Sequence, residues 1–151
     1  MIKKLSAAIE KVVGVGLLFA ACASIAAAQT PTLYKRLGGY DAIAAVSDEF
    51  IARLAGDKQL MRFLVGLSTD SQKKLRQHVV EQLCEATGGP CIYTGRTMKT
   101  SHAGLAITES DWQATVNHLI AALDKFKVPE KEKNELLAIA SSLKPDIVQT
   151  K

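Results

Sequence analysis

The segment Gly88–Thr108, GGPCIYTGRTMKTSHAGLAIT, constrains this chain more than any other. Its glycine pair ends the helical pattern before it, and Pro90 lacks the amide proton that a continuing helix needs. A short apolar stretch follows, built around one histidine, His102. Ser101, Ala103 and Gly104 leave space beside the ring, and Met98, Leu105 and Ile107 lie within about one helical turn. A neutral imidazole with little crowding and oily surroundings suits a planar, apolar, iron-bearing cofactor, and a proximal histidine is a standard hold on haem. The same residues also suit a packed or surface histidine, and spacing alone does not choose between the two.

The rest of the chain reads as helix. Strand and hairpin signals, sustained alternation and Asn-Gly turns, are nearly absent. Asp41–Ala55, entered from Gly38-Gly39 and stopped at Gly56, places Ile43, Val46, Phe50, Ile51 and Leu54 at helical spacing. Thr69 with Gln72 predicts a capping box for a helix running to Ala86. Leu75, Val79, Leu83 and Ala86 form its expected buried stripe, with His78 at the edge of that face. Thr108 with Asp111 predicts a second box, opening a helix through Phe126. His118 on that helix is expected to pack against a neighbour or bond a backbone carbonyl. Pro129, at a first-turn position, starts a last helix to about Leu143. The expected fold class is all-α, with four main helices and a short one around His102. Aromatics are 5% of the chain, so aliphatics must fill the core unless a cofactor adds bulk.

Met1–Lys4 is basic, Val12–Ala21 is an uncharged apolar run, and Ala26–Ala28 offers a small-x-small cleavage site before Gln29. That is the layout of a secretory signal peptide, with an apolar run too short for a membrane span. The expected division is a leader over 1–28 and one domain over 29–151, periplasmic or secreted. Cys22, after Phe19-Ala20-Ala21, offers the alternative of a lipoprotein anchored at that cysteine. Cleavage removes Lys3, Lys4, Lys11 and Glu10, lowering the net charge from +4 to about +2. The remaining basic residues lie among acidic neighbours, and the cluster Lys73, Lys74 and Arg76 lacks interleaved aromatics. A solvated helix face explains it better than nucleic-acid binding. In an oxidising compartment Cys84 and Cys91, flanking the reversal at Gly88-Gly89-Pro90, are expected to form a disulfide, with two unpaired buried thiols as the alternative. Their spacing does not fit zinc, and no CxxCH run offers thioether attachment of haem.

The string around His102 resembles the loop and proximal helix of the group I truncated haemoglobins. LYKRLGG before the first long helix, DEFIARL on it and VNHLIAALDKFKVP further on resemble the same family. The glycine motifs and the histidine stand in the family's order and spacing over Thr32 to about Val148, 117 of the 151 residues. The resemblance implies a two-over-two sandwich of antiparallel helices around haem b, held non-covalently with His102 as proximal iron ligand. It implies that Phe50, Phe63, Leu75, Val79, Leu83 and Tyr93 line or border the haem pocket, together with Met98, Leu105, Ile107 and Trp112. Arg96 and Lys99 become candidates to meet the propionates.

The departures from the family bear on ligand chemistry. Ile51 stands where the family commonly has a distal tyrosine. Leu75 and Val79 occupy two positions where glutamine is frequent, and Leu64 replaces a usual phenylalanine beside the haem. A donor to a partly charged diatomic ligand is worth about 0.5–1.5 kcal/mol, and each 1.4 kcal/mol changes release about tenfold. These replacements argue against a high-affinity O₂ store. His78 matches a position where some cyanobacterial members place a second histidine on the iron. One reading makes His78 a sixth ligand; the other turns its ring to solvent.

The leading expectation is a haem protein that reversibly binds O₂, NO or CO. The alternative is a periplasmic redox protein or enzyme handling nitric oxide, peroxide or electrons, with an electron donor as partner. Beyond His78 no acid/base pair suggests itself, and no flavin or nicotinamide motif supplies reductant. A haem-free helical interaction domain is a third class. No nucleic acid and no membrane span in the mature protein are expected.

Overall fold

Capping chemistry sets the helix boundaries. In the structure, a computed structural model that describes residues 30–149, every regular element is a helix. These are α1 (Leu33–Arg36), α2 (Gly39–Gly56), α3 (Thr69–Ala86), α4 (Met98–His102), α5 (Glu109–Lys125), α6 (Glu130–Ser142) and α7 (Lys144–Ile147), with a 3₁₀ turn at Met61–Phe63. The expected leader, residues 1–28 with Cys22, lies outside the described residues.

Thr108 and Asp111 form the predicted reciprocal box: the Thr108 hydroxyl accepts from the Asp111 amide and the Asp111 carboxylate accepts from the Thr108 amide. The box expected from Thr69 does not form. Ser68 caps α3 instead, its hydroxyl accepting from Ser71 N at 3.2 Å, because a cap needs extended backbone and Thr69 is already helical. Pro129 likewise sits just outside α6, as its N-cap. The four-residue helices α1 and α7 are too short to show a period in sequence.

Helix α2 is the hub, packing on α1, α3 and α5, while α5 packs on α6 and α6 on α1. The pairs α2/α3 and α5/α6 thus lie across each other, joined along α2 and α5. One core cluster gathers Leu33, Val46, Leu119, Ala122, Leu123 and Leu136. A second gathers Ile43, Ala44, Val80 and Cys84 between α2 and α3. The buried stripe of α3 is therefore Val80 and Cys84, a correction to the expected one. Leu75, Val79 and Leu83 are half-buried and Ala86 is exposed, because two faces of α3 are apolar and α2 takes the other. Among the described residues no helix is long and apolar enough to cross a membrane.

Candidate functional site

His102 ends α4, a single turn opened by Thr97, whose hydroxyl accepts from Thr100 N at 3.2 Å. The half-buried ring places Nδ1 2.8 Å from the Met98 carbonyl oxygen. A carbonyl only accepts, so Nδ1 carries the proton and Nε2 keeps its lone pair, the tautomer that a metal-ligating histidine needs. Around this turn, Met98 is half-buried, Ile107 and Trp112 are buried, and Leu105 is exposed.

Helix α3 contributes Leu75, His78, Val79 and Leu83, all half-buried. His78 is not simply turned to water. Its side chain is 37% exposed, yet Nδ1 is buried without a hydrogen bond, 3.6 Å from a Glu81 carboxylate oxygen. The ring meets Tyr93 edge-on, centroids 5.9 Å apart. Glu81 accepts from Gln77 Nε2 at 2.8 Å, and from Thr94 Oγ1 at 2.8 Å and Thr94 N at 3.1 Å. Those donors, Gln77 first, pull its carboxyl down to about 2. Tyr93 donates its hydroxyl to the Arg96 carbonyl at 2.7 Å, and burial pushes that hydroxyl's pKa up.

Phe50 and Ile51 on α2, and Phe63 and Leu64 at the 3₁₀ turn, are half-buried. Phe50 packs on the first core cluster, and the Arg62 guanidinium lies 4.6 Å from the centre of the Phe63 ring. Arg62 also donates to the buried Asp111 at 2.7 Å, as does Gln59 at 2.9 Å, fastening this turn to the start of α5. Burial raises the Asp111 pKa, but the Thr108 amide, Gln59, the Thr108 hydroxyl and Arg62 together hold it below the usual carboxylate range. His118 donates Nε2–H to the Asp57 carboxylate at 2.8 Å, meeting a neighbouring element as one expectation had it, through an acid and not a backbone carbonyl.

Cys84 and Cys91 lie with their sulfurs at bonding distance and Cα atoms 5.7 Å apart. The loop from Cys91 to Thr97 is thus held to α3 twice, here and at Glu81. Sequence reading reached the cysteines but missed Glu81 and Thr94, whose pairing across 13 residues follows no local pattern.

The residues present fit haem. One histidine keeps a free Nε2 lone pair, apolar side chains on α3 and around α4 stand half-buried, and Arg96 and Lys99 are exposed cations that pair with no described carboxylate.

Comparison with known proteins agrees. The family described as bacterial-like globin matches residues 32–149. A group 1 truncated haemoglobin of Mycolicibacterium paratuberculosis is 34% identical over 120 residues, covering 80% of this chain and 86% of that protein. Its counterpart in Nostoc sp. is also 34% identical, over 78% of this chain and 97% of its own. The crystal structure of the Fe(III) truncated haemoglobin of Tetrahymena pyriformis superposes with a TM-score of 0.71 at 24% identity, over 78% of this chain and 98% of that one.

Proposed function

Because this chain belongs to the bacterial-like globin family, among the group 1 truncated haemoglobins, we propose that it holds haem through His102 and reversibly binds a diatomic gas on the face opposite that histidine. The observation that carries the assignment of His102 is its Nδ1–H bond to Met98, which leaves Nε2 as the ligating atom. When bound, haem would supply an iron that takes a small gas as ligand.

The chain's own residues set what happens there. Ile51, Leu75 and Val79 offer no hydrogen-bond donor, so a gas that gathers negative charge is held weakly and released fast. His78 is the polar group of this α3 face. Its half-buried ring, edge-on to Tyr93, would offer an imidazole nitrogen to the iron as a second protein ligand. Were His78 to hold the iron, a gas would have to compete with it, and the apparent affinity would fall with the fraction of open sites. A His102–iron–His78 centre would also suit electron transfer or nitric oxide and peroxide chemistry, with an electron donor as partner; the Glu81 contact favours keeping this second reading.

The absence of a CxxCH run supports a b-type haem held without thioether links. Arg96 and Lys99 are positioned by exposure and charge to meet the propionates. The basic start, apolar run and small-residue site before Gln29 support export of residues 29–151 to the periplasm or beyond, with anchoring at Cys22 as the alternative. An oxidising compartment would sustain the Cys84–Cys91 bridge.

The test is the visible spectrum of haem-reconstituted protein, ferric and dithionite-reduced, beside His78→Ala and His102→Ala. His102→Ala is expected to lose stoichiometric haem; unchanged content and spectrum there would reject the site. A low-spin spectrum that turns high-spin in His78→Ala would establish six-coordination. A high-spin spectrum in the parent would leave simple gas binding with fast release.

A further inference from the structure

The turn that carries His102 is poorly equipped to hold itself. Helix α4 spans five residues, and an isolated single turn is unstable because nucleation costs more than one hydrogen bond returns. Its last carbonyl, that of His102, accepts locally from Leu105 N at 3.2 Å, and the chain leaves the turn through the non-helical Ala103. Beyond it stand Gly104 at φ +80° and Ala106 at φ +51°, the latter a left-handed conformation that a residue with a Cβ keeps only where its surroundings impose it.

Those surroundings come from the far end of the chain. Helix α7 packs against α4, and Lys144 on it pairs with Glu109 of α5 at 2.7 Å. Gln149, just beyond α7, reaches the His102 turn with three bonds. Its side-chain Nε2 donates to the carbonyl of His102 itself. Its Oε1 accepts from Ala106 N at 3.0 Å. Its backbone N donates to the Ile107 carbonyl at 2.9 Å. One planar amide thus spans the turn, with its donor on the histidine residue and its acceptor on the strained alanine.

We infer that Gln149 is a positioning residue for His102, locking the carbonyl and exit angle of the histidine's backbone and so fixing the direction of its Nε2. The inference rests on His102 being the iron ligand. The role needs a donor and an acceptor on one rigid head, which glutamine has, whereas glutamate has only acceptors and alanine neither. Its hydrogen bonds all go to His102, Ala106 and Ile107.

The experiment compares Gln149→Ala and Gln149→Glu with their parent, all haem-loaded and in a His78→Ala background so that no second histidine competes. Two readouts are taken: the iron–histidine stretching band of the ferrous protein by resonance Raman, and the rate of haem transfer to excess apomyoglobin. The melting temperature of each haem-free protein separates positioning from general stability. Gln149→Ala is expected to shift or broaden the band and to speed haem loss about tenfold, with Gln149→Glu between it and the parent. A Gln149→Ala band and haem-loss rate equal to the parent's, at any melting temperature, would overturn the clamp. His102→Ala in the same background keeps the two claims apart. If it loses the band while Gln149→Ala matches the parent, only the clamp falls; if it retains the band, the ligand assignment falls as well.

Discussion

Lys127 shows what a single backbone angle does here. At φ +54° it follows α5 in the left-handed region, its N–H donating to Asp124 O at 2.9 Å while Val128 N donates to Leu123 O at 3.0 Å. This is the glycine-favouring end of a helix, occupied by an exposed lysine. Lys127→Gly removes the Cβ clash and gives back some entropy to the unfolded chain, for a net gain of about 0.5–1 kcal/mol. A rise of a few degrees in melting temperature is expected; a fall would mean that the turn tolerates its Cβ freely. Glu81 makes the complementary case for charge. Its carboxyl drops from the ordinary 4.5 to about 2 in the folded protein. Its contribution is therefore whole above pH 4.5 and lost as pH falls towards 2. Glu81→Gln is expected to lower the melting temperature most at neutral pH, the difference from the parent shrinking as pH falls from 4.5 towards 2; an unchanged acid limb would remove Glu81 from the account. Among such residues, the Thr108–Asp111 pair was legible because capping is local chemistry. The Arg62 and Gln59 donors to the same Asp111 were not, because they arrive from about 50 residues away.

The four long helices follow from apolar periodicity and glycine or proline stops, and α2, α3, α5 and α6 begin within three residues of expectation. The short elements do not follow, since four or five residues hold no period. Which face of α3 meets α2 was also illegible: Leu75/Val79/Leu83 and Val80/Cys84 are two apolar stripes on one helix, and only tertiary packing ranks them. The loop between α3 and α4 is secured by long-range ties rather than by its own structure. Closing the eight-residue loop from Cys84 to Cys91, both included, restricts the unfolded chain by about 2.5 kcal/mol. Cys91→Ser is expected to lower stability by about that amount without reductant and to match the parent when both are reduced; equal losses in both conditions would argue against a bridge in solution. Gly89 belongs to the same fastening. A Cβ there would lie 2.7 Å from the Cys84 sulfur and 2.8 Å from its carbonyl oxygen, so a side chain would push the loop off α3.

Across the whole molecule, apolar surface falls into three sets. Two are the clusters around Leu123 and around Val80. The third, Phe63, Leu75, Val79 and Met98, is half-buried, belongs to neither cluster and comes from the 3₁₀ turn, α3 and α4. These residues lie outside both cores and are the ones proposed to border haem, and among the described residues α4 packs chiefly on α7. A ligand that binds only the folded arrangement stabilises it by RT ln(1 + [L]/Kd), about 4 kcal/mol at a thousandfold excess over Kd. Haem loading is therefore expected to raise the melting temperature well beyond what its bulk in a preformed slot requires, and to protect amides of α4 and the 91–97 loop from hydrogen exchange more than those of α2. His102→Ala should abolish most of that increment while leaving the haem-free protein's melting nearly unchanged, because His102 belongs to neither core cluster. Equal protection of α2 and α4, or an increment that survives the loss of His102, would place haem binding outside this surface and return His102 to an ordinary half-buried histidine.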